Sequence, residues 1–361
     1  MRKYFIFSGL IVIGIFTIIL IYLSYFGIKT NNFNKFIENN ARSYDSRITL
    51  KLNDVFLKLS LQEFSLKINT KNSKIGIDKN FIDLKNIDIN LNLLKFFKNQ
   101  NSIEKIQIIT DENKIKNVTD FFNSYKFNIS RSFAYNQISG GSIIATANFY
   151  FDKKIEDSFS YEVKGNIKNA NVNLVALGKL KKINFNFDIK DKKYIFDNIK
   201  FKYQDINYQS KKITIIESGK DFEIKGILNS EKGLINPKSL SNIFNLNLDI
   251  LEEKEILAET ESNFAFKIKS NRSIKDFEFK SNLKFDEIFI NKKYQDLIYF
   301  KDVSIETKYI NKNLSIDLTS GFYFFEDKNK KKTKNDKDEN ILKLNIVKKN
   351  KENFKIEGNL K

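Results

Sequence analysis

The chain predicts a mostly β protein: an N-terminal transmembrane helix, then a long antiparallel β-sheet with a few short helices. Three observations lead there. Tyr4–Ile28 carries no charged residue. From Ile48 onward apolar residues recur at every second position, the signature of strands with one buried face. And beyond residue 140 that alternation continues almost without other patterns.

The first of these stretches reads YFIFSGLIVIGIFTIILIYLSYFGI, between Arg2-Lys3 and Lys29. Crossing a bilayer takes roughly 20 apolar residues in a helix. A cleaved signal peptide would have a shorter apolar region and a small-x-small exit; here the exit is Tyr22-Leu23-Ser24-Tyr25-Phe26. Tyr4, Phe5, Tyr22, Tyr25 and Phe26 are the amphipathic rings that settle at membrane interfaces. Arg2 and Lys3 favour a cytoplasmic N-terminus, while Lys29, Lys35, Arg42 and Arg47 pull the other way. Long domains translocate largely regardless of such charges, so the bulk of the chain is expected outside.

Asn31–Tyr44 fits a short juxtamembrane helix with Phe33, Phe36 and Ile37 on one side. The period then becomes two. Successive sets are Ile48/Leu50/Leu52, Val55/Leu57/Leu59/Leu61, Phe64/Leu66/Ile68, Ile75/Ile77 and Ile87/Ile89/Leu91/Leu93. A helical turn is expected at Leu94–Lys98 and a short helix at Asn117–Tyr125, with Ile103, Ile106 and Ile108 as strand between them. Gly140-Gly141 marks a turn or bulge.

Further on, strand sets include Ile183/Phe185/Phe187/Ile189, Phe264/Phe266/Ile268, Phe277/Phe279, Leu283/Phe285, Leu314/Ile316/Leu318 and Leu342/Leu344/Ile346. Asn236-Pro237 followed by KSLSNIF reads as a capped short helix. Leu251–Glu261 reads as an acidic helix or loop. Asp327–Asn340 has no apolar residue and reads as the long tip of a hairpin between Phe322–Phe325 and Ile341–Val347. A loose repeat, aromatic-x-apolar-x-Gly/Ser-x-apolar, starts at Tyr161, Phe222, Phe277 and Phe354 and suggests stacked β units. About fifteen to eighteen strands would make a sheet roughly 70–85 Å long at ~4.8 Å per strand.

The net charge of +18 comes mostly from Lys dispersed among Asp, Glu and Asn; Arg occurs only at Arg2, Arg42, Arg47, Arg131 and Arg272. Nucleic-acid binders cluster basic residues, often Arg, on one face, so this charge reads as solvated surface with some attraction to anionic lipid. There is no Cys and no His, which removes disulfides, thiolate ligands and the commonest general base. The chain contains no G-x-x-x-x-G-K-[ST], G-x-G-x-x-G or G-x-S-x-G. No catalytic residues, cofactor or metal are expected.

A sheet with one apolar face and few helices has two outcomes. Two sheets close on each other as a core, or the face stays open as a trough for acyl chains. The candidate lining residues are Phe185, Phe187, Ile189, Phe264, Phe266, Ile268, Phe277, Phe279, Leu283, Phe285, Leu314 and Ile316.

An anchor, a juxtamembrane helix and alternating strands resemble the AsmA-like family of envelope proteins. Arg47–Ile68 (RITLKLNDVFLKLSLQEFSLKI) looks like its opening hairpins. Phe81–Ile108, with the Leu93-Leu94 pair, looks like its strand, helical turn and Ile-spaced strand. The resemblance implies an elongated, curved antiparallel β-sheet groove in the periplasm, hung from the inner membrane and moving phospholipid toward the outer membrane. The expected limits are 1–3 cytoplasmic tip, 4–28 anchor, 29–130 first β module and 131–361 repetitive groove, with a charged loop at 327–340. Membrane phospholipids and other envelope proteins are the expected partners, and nucleic acid is not. The competing expectation is an anchored adaptor of envelope assembly, of the lipopolysaccharide-export kind, with a closed β-sandwich core.

Overall fold

The computed structural model describes residues 2–32, 34–98, 100, 102–125, 132, 135–151, 159–174, 178–203, 206–236, 251, 255–271, 273–290, 298–324, 340–349 and 353–360. Among them are four helices and twenty strands, and every strand pair with a recorded register is antiparallel. The chain divides into two compact units. The first is Met1–Ala170 with Asp188–Asp191; the second is Asn171–Phe187 with Lys192–Lys361.

In the first unit, helix α1 (Arg2–Tyr25) is 24 residues long, about 36 Å at 1.5 Å per residue. Among the described residues no helix is long and apolar enough to cross a membrane; in α1 the described side chains begin at Ile11. The helix stops short of the expected Ile28. Gly27 adopts φ +70° and its N–H bonds to the Tyr22 carbonyl at 3.3 Å, a left-handed C-terminal cap. A Cβ there would lie 2.6 Å from both the Leu57 carbonyl oxygen and the Phe56 ring, so only glycine passes. Ile28 instead opens strand β1 (Ile28–Thr30), which pairs with β3 (Val55–Ser60).

Helix α2 (Asn34–Tyr44) falls within the stretch where a short helix is expected. Its Asn34 amide donates to the Leu52 and Asn53 carbonyls, and its Glu38 carboxylate accepts from Leu52 N–H at 3.2 Å. Strands β2 (Ile48–Lys51) and β3 lie end to end along β4 (Ser65–Ile77), followed by β5 (Asn80–Asn92). Phe64, expected within a strand, sits in the β3–β4 turn with φ +48°. Asn92 caps the single helical turn α3 (Leu93–Phe97) by accepting from Lys95 N–H at 3.1 Å. Strands β6 (Ile103–Thr110) and β7 (Asn113–Lys114) lead into α4 (Ile115–Tyr125). β8 (Ile138–Ser139), β9 (Ser142–Phe151) and β10 (Phe159–Leu174) complete the run. Helix α4 lies over β4 and β5, where Ile77, Ile82, Leu84 and Phe121 form a sealed core.

The second unit is a meander. After β11 (Gly178–Lys190) come β12 (Lys193–Tyr203), β13 (Ile206–Ser218), β14 (Asp221–Ile235), β15 (Ile256–Ile268), β16 (Ile274–Phe289), β17 (Ile298–Ile310), β18 (Asn313–Phe324), β19 (Ile341–Lys349) and β20 (Lys355–Leu360). From β12 to β20 each strand pairs with the next in sequence. The expected acidic helix or loop at Leu251–Glu261 is corrected: from Ile256 onward it is β15. Its Glu259 and Glu261 alternate with Thr260 and Ser262, a period of two that suits a ladder. The helix expected after Asn236 and the charged tip within 327–339 lie outside the described residues. The hairpin that tip belongs to is present, with Ile341 opposite Gly321.

The loose repeat falls on β10, β14, β16 and in and before β20. All are even-numbered, yet four, two and four strands apart. The structural unit is therefore a hairpin, and the similar residue spacing of the copies reflects loop lengths.

A second regularity runs through both units. Most long strands are broken once by a polar dipeptide where the alternation skips a beat: Lys71-Asn72, Lys168-Asn169, Lys181-Lys182, Asp197-Asn198, Lys275-Asp276 and Lys301-Asp302. The second residue of each has φ between 51° and 53°. Register shifts fall at the last two, and also in β13 between Gln209 and Ile213 and in β14 between Ser230 and Gly233. Where the register shifts these are β-bulges, with one extra residue that twists the strand; at Lys71-Asn72 and Asp197-Asn198 the facing strand skips a residue as well. Asn and Asp tolerate the left-handed backbone best after Gly. The break keeps the residues on either side of the dipeptide, such as Phe196 and Ile199, on one face.

Candidate functional face

Antiparallel registers place opposed residues on the same side of a sheet, so the pairs define the face row by row. One row of the second unit runs Phe196, Ile213, Gly226, Phe264, Phe279, Tyr309 and Leu314. Another runs Phe201, Tyr208, Ser230, Thr260, Leu283, Ile305, Leu318 and Leu344. Between them lie Leu228, Ser262, Ser281, Thr307, Ile316 and Ile346. No charged side chain interrupts these stretches.

Gly226 has a packing reason. A Cβ there would meet Ile213 Cγ1 at 2.8 Å and Phe264 Cζ at 2.9 Å, so its absence lets the Phe264 ring lie across β14. Ring contacts then run along β15 and across to β16 and β17: Phe264–Phe266 at 6.2 Å, Phe266–Phe277 at 6.4 Å and Phe277–Tyr309 at 5.7 Å between centroids.

The residues singled out from the sequence converge here. Phe264, Phe279, Leu283, Leu314 and Ile316 lie in the rows above. Phe285 sits opposite Ala258 and Val303, and Ile268 opposite Phe222 and Ile274. Phe185 packs edge-on against Phe196 at 5.6 Å and against Phe187 at 6.4 Å. Leu180, Ile183, Phe185, Phe196, Ile199, Phe201 and Ile213 line an apolar hollow of about 200 Å³. Ile189 continues β11 two residues beyond Phe187, within the short segment grouped with the first unit.

This face is half-covered. Phe285, Val303, Ala258, Ile206, Ile235 and Ile256 form a buried cluster at one end, with Leu251, Ile288 and Phe300 packed on it. Toward the other end Phe264, Phe266 and Phe279 are half-buried and Phe277 is 42% exposed. Tyr208 stacks on Phe201 at 5.3 Å, and burial pushes its phenol pKa up, with the neighbouring Tyr203 a smaller contribution.

The opposite face is charged in bands. Glu261, Asn282, Glu306, Asp317, Asn345 and Glu357 form one cross-strand row. A row with Lys280, Lys308 and Lys355 flanks it on one side, and a row with Lys284 and Lys343 on the other. Each Lys therefore has a carboxylate within its own strand or the next, as in Lys308–Glu306 at 2.9 Å, Lys355–Glu357 at 2.6 Å and Lys284–Glu259 at 3.3 Å. Hydrogen-bonded Glu357 is held below the usual carboxylate range and Lys308 and Lys355 above the usual amine range.

Sequence reasoning missed an inlay in the apolar face. The hydroxyls of Ser262 and Ser281 lie 2.8 Å apart, Thr260 Oγ1 is 3.4 Å from each, and Thr260 N–H donates to Ser230 Oγ at 2.9 Å. The signal was available: in TESNF and FKSNLKF a small hydroxyl residue takes a position in the apolar alternation, Ser262 two residues before Phe264 and Ser281 between Phe279 and Leu283.

Larger hollows lie mostly among polar residues. One of about 430 Å³ in the first unit, among Asn53, Asn69 and Asn72, is bridged by the Lys29–Asp54 ion pair at 2.7 Å. Among the described residues no three carboxylates gather as a metal site. No family model matches the chain, and no curated protein or solved structure is similar to it.

Proposed function

We propose that the chain is a membrane-anchored β-groove protein that binds phospholipid acyl chains along the apolar face of its second unit and helps move them across the envelope toward the outer membrane. The observation that carries this reading is the asymmetry of that sheet. One side holds uncharged rows centred on Phe264, Phe279 and Leu283, half-exposed; the other is banded with Lys and Glu. Each methylene moved from water onto such a surface contributes about 0.8 kcal/mol. A tail of ordinary length is therefore held without a shaped pocket, and it slides along the rows without a large barrier.

The uncharged run Tyr4–Ile28 supplies the anchor, with the bulk of the chain in the periplasm. The likeness of Arg47–Ile68 and Phe81–Ile108 to AsmA-like proteins supports the same reading.

The test is a photo-crosslinker at Phe266 in cells, with phospholipid mass spectrometry of the detergent-purified chain. The expected result is a phospholipid adduct at Phe266 that is lost in Phe264→Asp and Phe279→Asp variants with unchanged β content. Lipid-free protein, with Phe266 crosslinking only to another polypeptide, overturns the reading in favour of an assembly adaptor.

A further inference from the structure

We infer a second membrane contact: the end of the first unit at the β3–β4 turn docks into the interfacial zone of the same bilayer that α1 enters. The topology brings the pieces together. β1 runs antiparallel to β3 with Ile28 opposite Leu57, so Gly27 and the end of α1 lie toward Ser60. Ser60 pairs with Ser65 across the turn, and Ser65 pairs with Asn92, from which α3 departs. The Leu93 N–H donates to the Phe64 carbonyl at 3.0 Å, fixing α3 against the turn.

What this end presents is unusual for a surface meeting only water. Leu94 is 55% exposed, Phe96 58% and Phe97 73%, with Leu61 and Phe64 also exposed. Aromatic and Leu side chains on a short turn of helix are what an interfacial segment carries, whereas soluble surfaces avoid large contiguous apolar patches. A second observation agrees. Phe64 holds φ +48°, a left-handed backbone that normally selects Gly, Asn or Asp. A bulky aromatic there is an outlier, and outliers of this kind collect at functional positions. Exposed Lys58 and Lys98 flank the patch, and lysines beside an apolar wedge suit an anionic bilayer surface.

This inference rests on the anchor reading for its choice of bilayer, so the experiment separates the two. The chain has no Cys, so single-cysteine variants of the full chain carry one environment-sensitive fluorophore each, in liposomes of zwitterionic and anionic phospholipid. The label positions are Phe97→Cys, Ile15→Cys and Tyr125→Cys. Tyr125 is tied through Arg47 to the opposite end of β4. That strand has 13 residues, which puts this end about 40 Å away at ~3.3 Å per residue.

The expected result is quenching at residue 97 by shallow spin-labelled lipid, several-fold stronger than at residue 125, and weakened when Leu94→Ser and Phe96→Ser are added. Quenching at residue 97 no greater than at residue 125 overturns the docking. In that case a deep-quenched label at residue 15 leaves the anchor standing alone, and an unquenched one removes both.

Discussion

The two units use the same alternating code and finish it differently. In the first, α4 comes after the sheet strands it covers and lies over β4 and β5, leaving Leu84 2% and Phe121 9% exposed. In the second, the comparable rows through Phe264 and Phe279 are only half-buried. An apolar face needs a partner layer to become a core; without one it remains a surface for something else. The pattern within a strand does not distinguish the cases. Among the described residues the covering helix does: α4 lies over the first unit's sheet, and no described helix lies over β12–β20.

The sharpest way to break that contrast is truncation on both sides of it. Phe121→Ala should destabilise the first unit by about 3–5 kcal/mol, the ordinary cost of emptying an aromatic site in a sealed core. Phe266→Ala should cost no more than about 1 kcal/mol, as at surface positions. Urea unfolding combined with hydrogen exchange on each unit checks both. Equal costs would mean that the second face is a core like the first.

Next in size is the bulge. Asp302→Val puts a β-branched residue at φ +51° and should cost roughly 1–2 kcal/mol, with Asp302→Gly near neutral; thermal melts compare the pair.

Smaller still is the inlay. Ser281→Ala removes the 2.8 Å partner of Ser262 and should cost about 1 kcal/mol. In the lipid-capture assay it should leave acyl-chain binding intact, because the flanking Phe rows are untouched.

The smallest effect is electrostatic. Asp221 accepts from Lys269 Nζ at 2.8 Å, and this hydrogen bond holds its carboxyl below the usual range. Its contribution is present above the unfolded carboxylate pKa of about 3.9 and is lost as pH falls through the lower folded value. NMR titration should find Asp221 low, and Lys269→Met should return it toward normal.

Much of this architecture is readable in the sequence. Alternation places most strands, and Asn92 and Gly27 have cap chemistry visible in the residues themselves. The eleven candidate lining residues outside the Asp188–Asp191 segment share one face because alternation and cross-strand pairing both have a period of two. The breaks in alternation escape because a skipped beat in a Lys-rich strand looks like a strand ending; alternation alone splits β4 at Lys71-Asn72 into two sets for that reason. Residues 256–261 escape because Glu259 and Glu261 mark the solvent side of a strand as readily as a helix. The hydroxyl inlay escapes because Ser and Thr are unremarkable in strands until their cross-strand neighbours are known.

The polar dipeptides also bear on how such a chain tolerates changes in length. Removing one residue from the middle of an ordinary strand rotates everything beyond it by half a turn and puts Lys where Phe belongs. Removing Asp276 or Asp302 does not, because each is already the surplus member of its ladder. Single-residue deletions should therefore be confined to these positions, where they straighten a strand and leave the chemistry of both its sides unchanged.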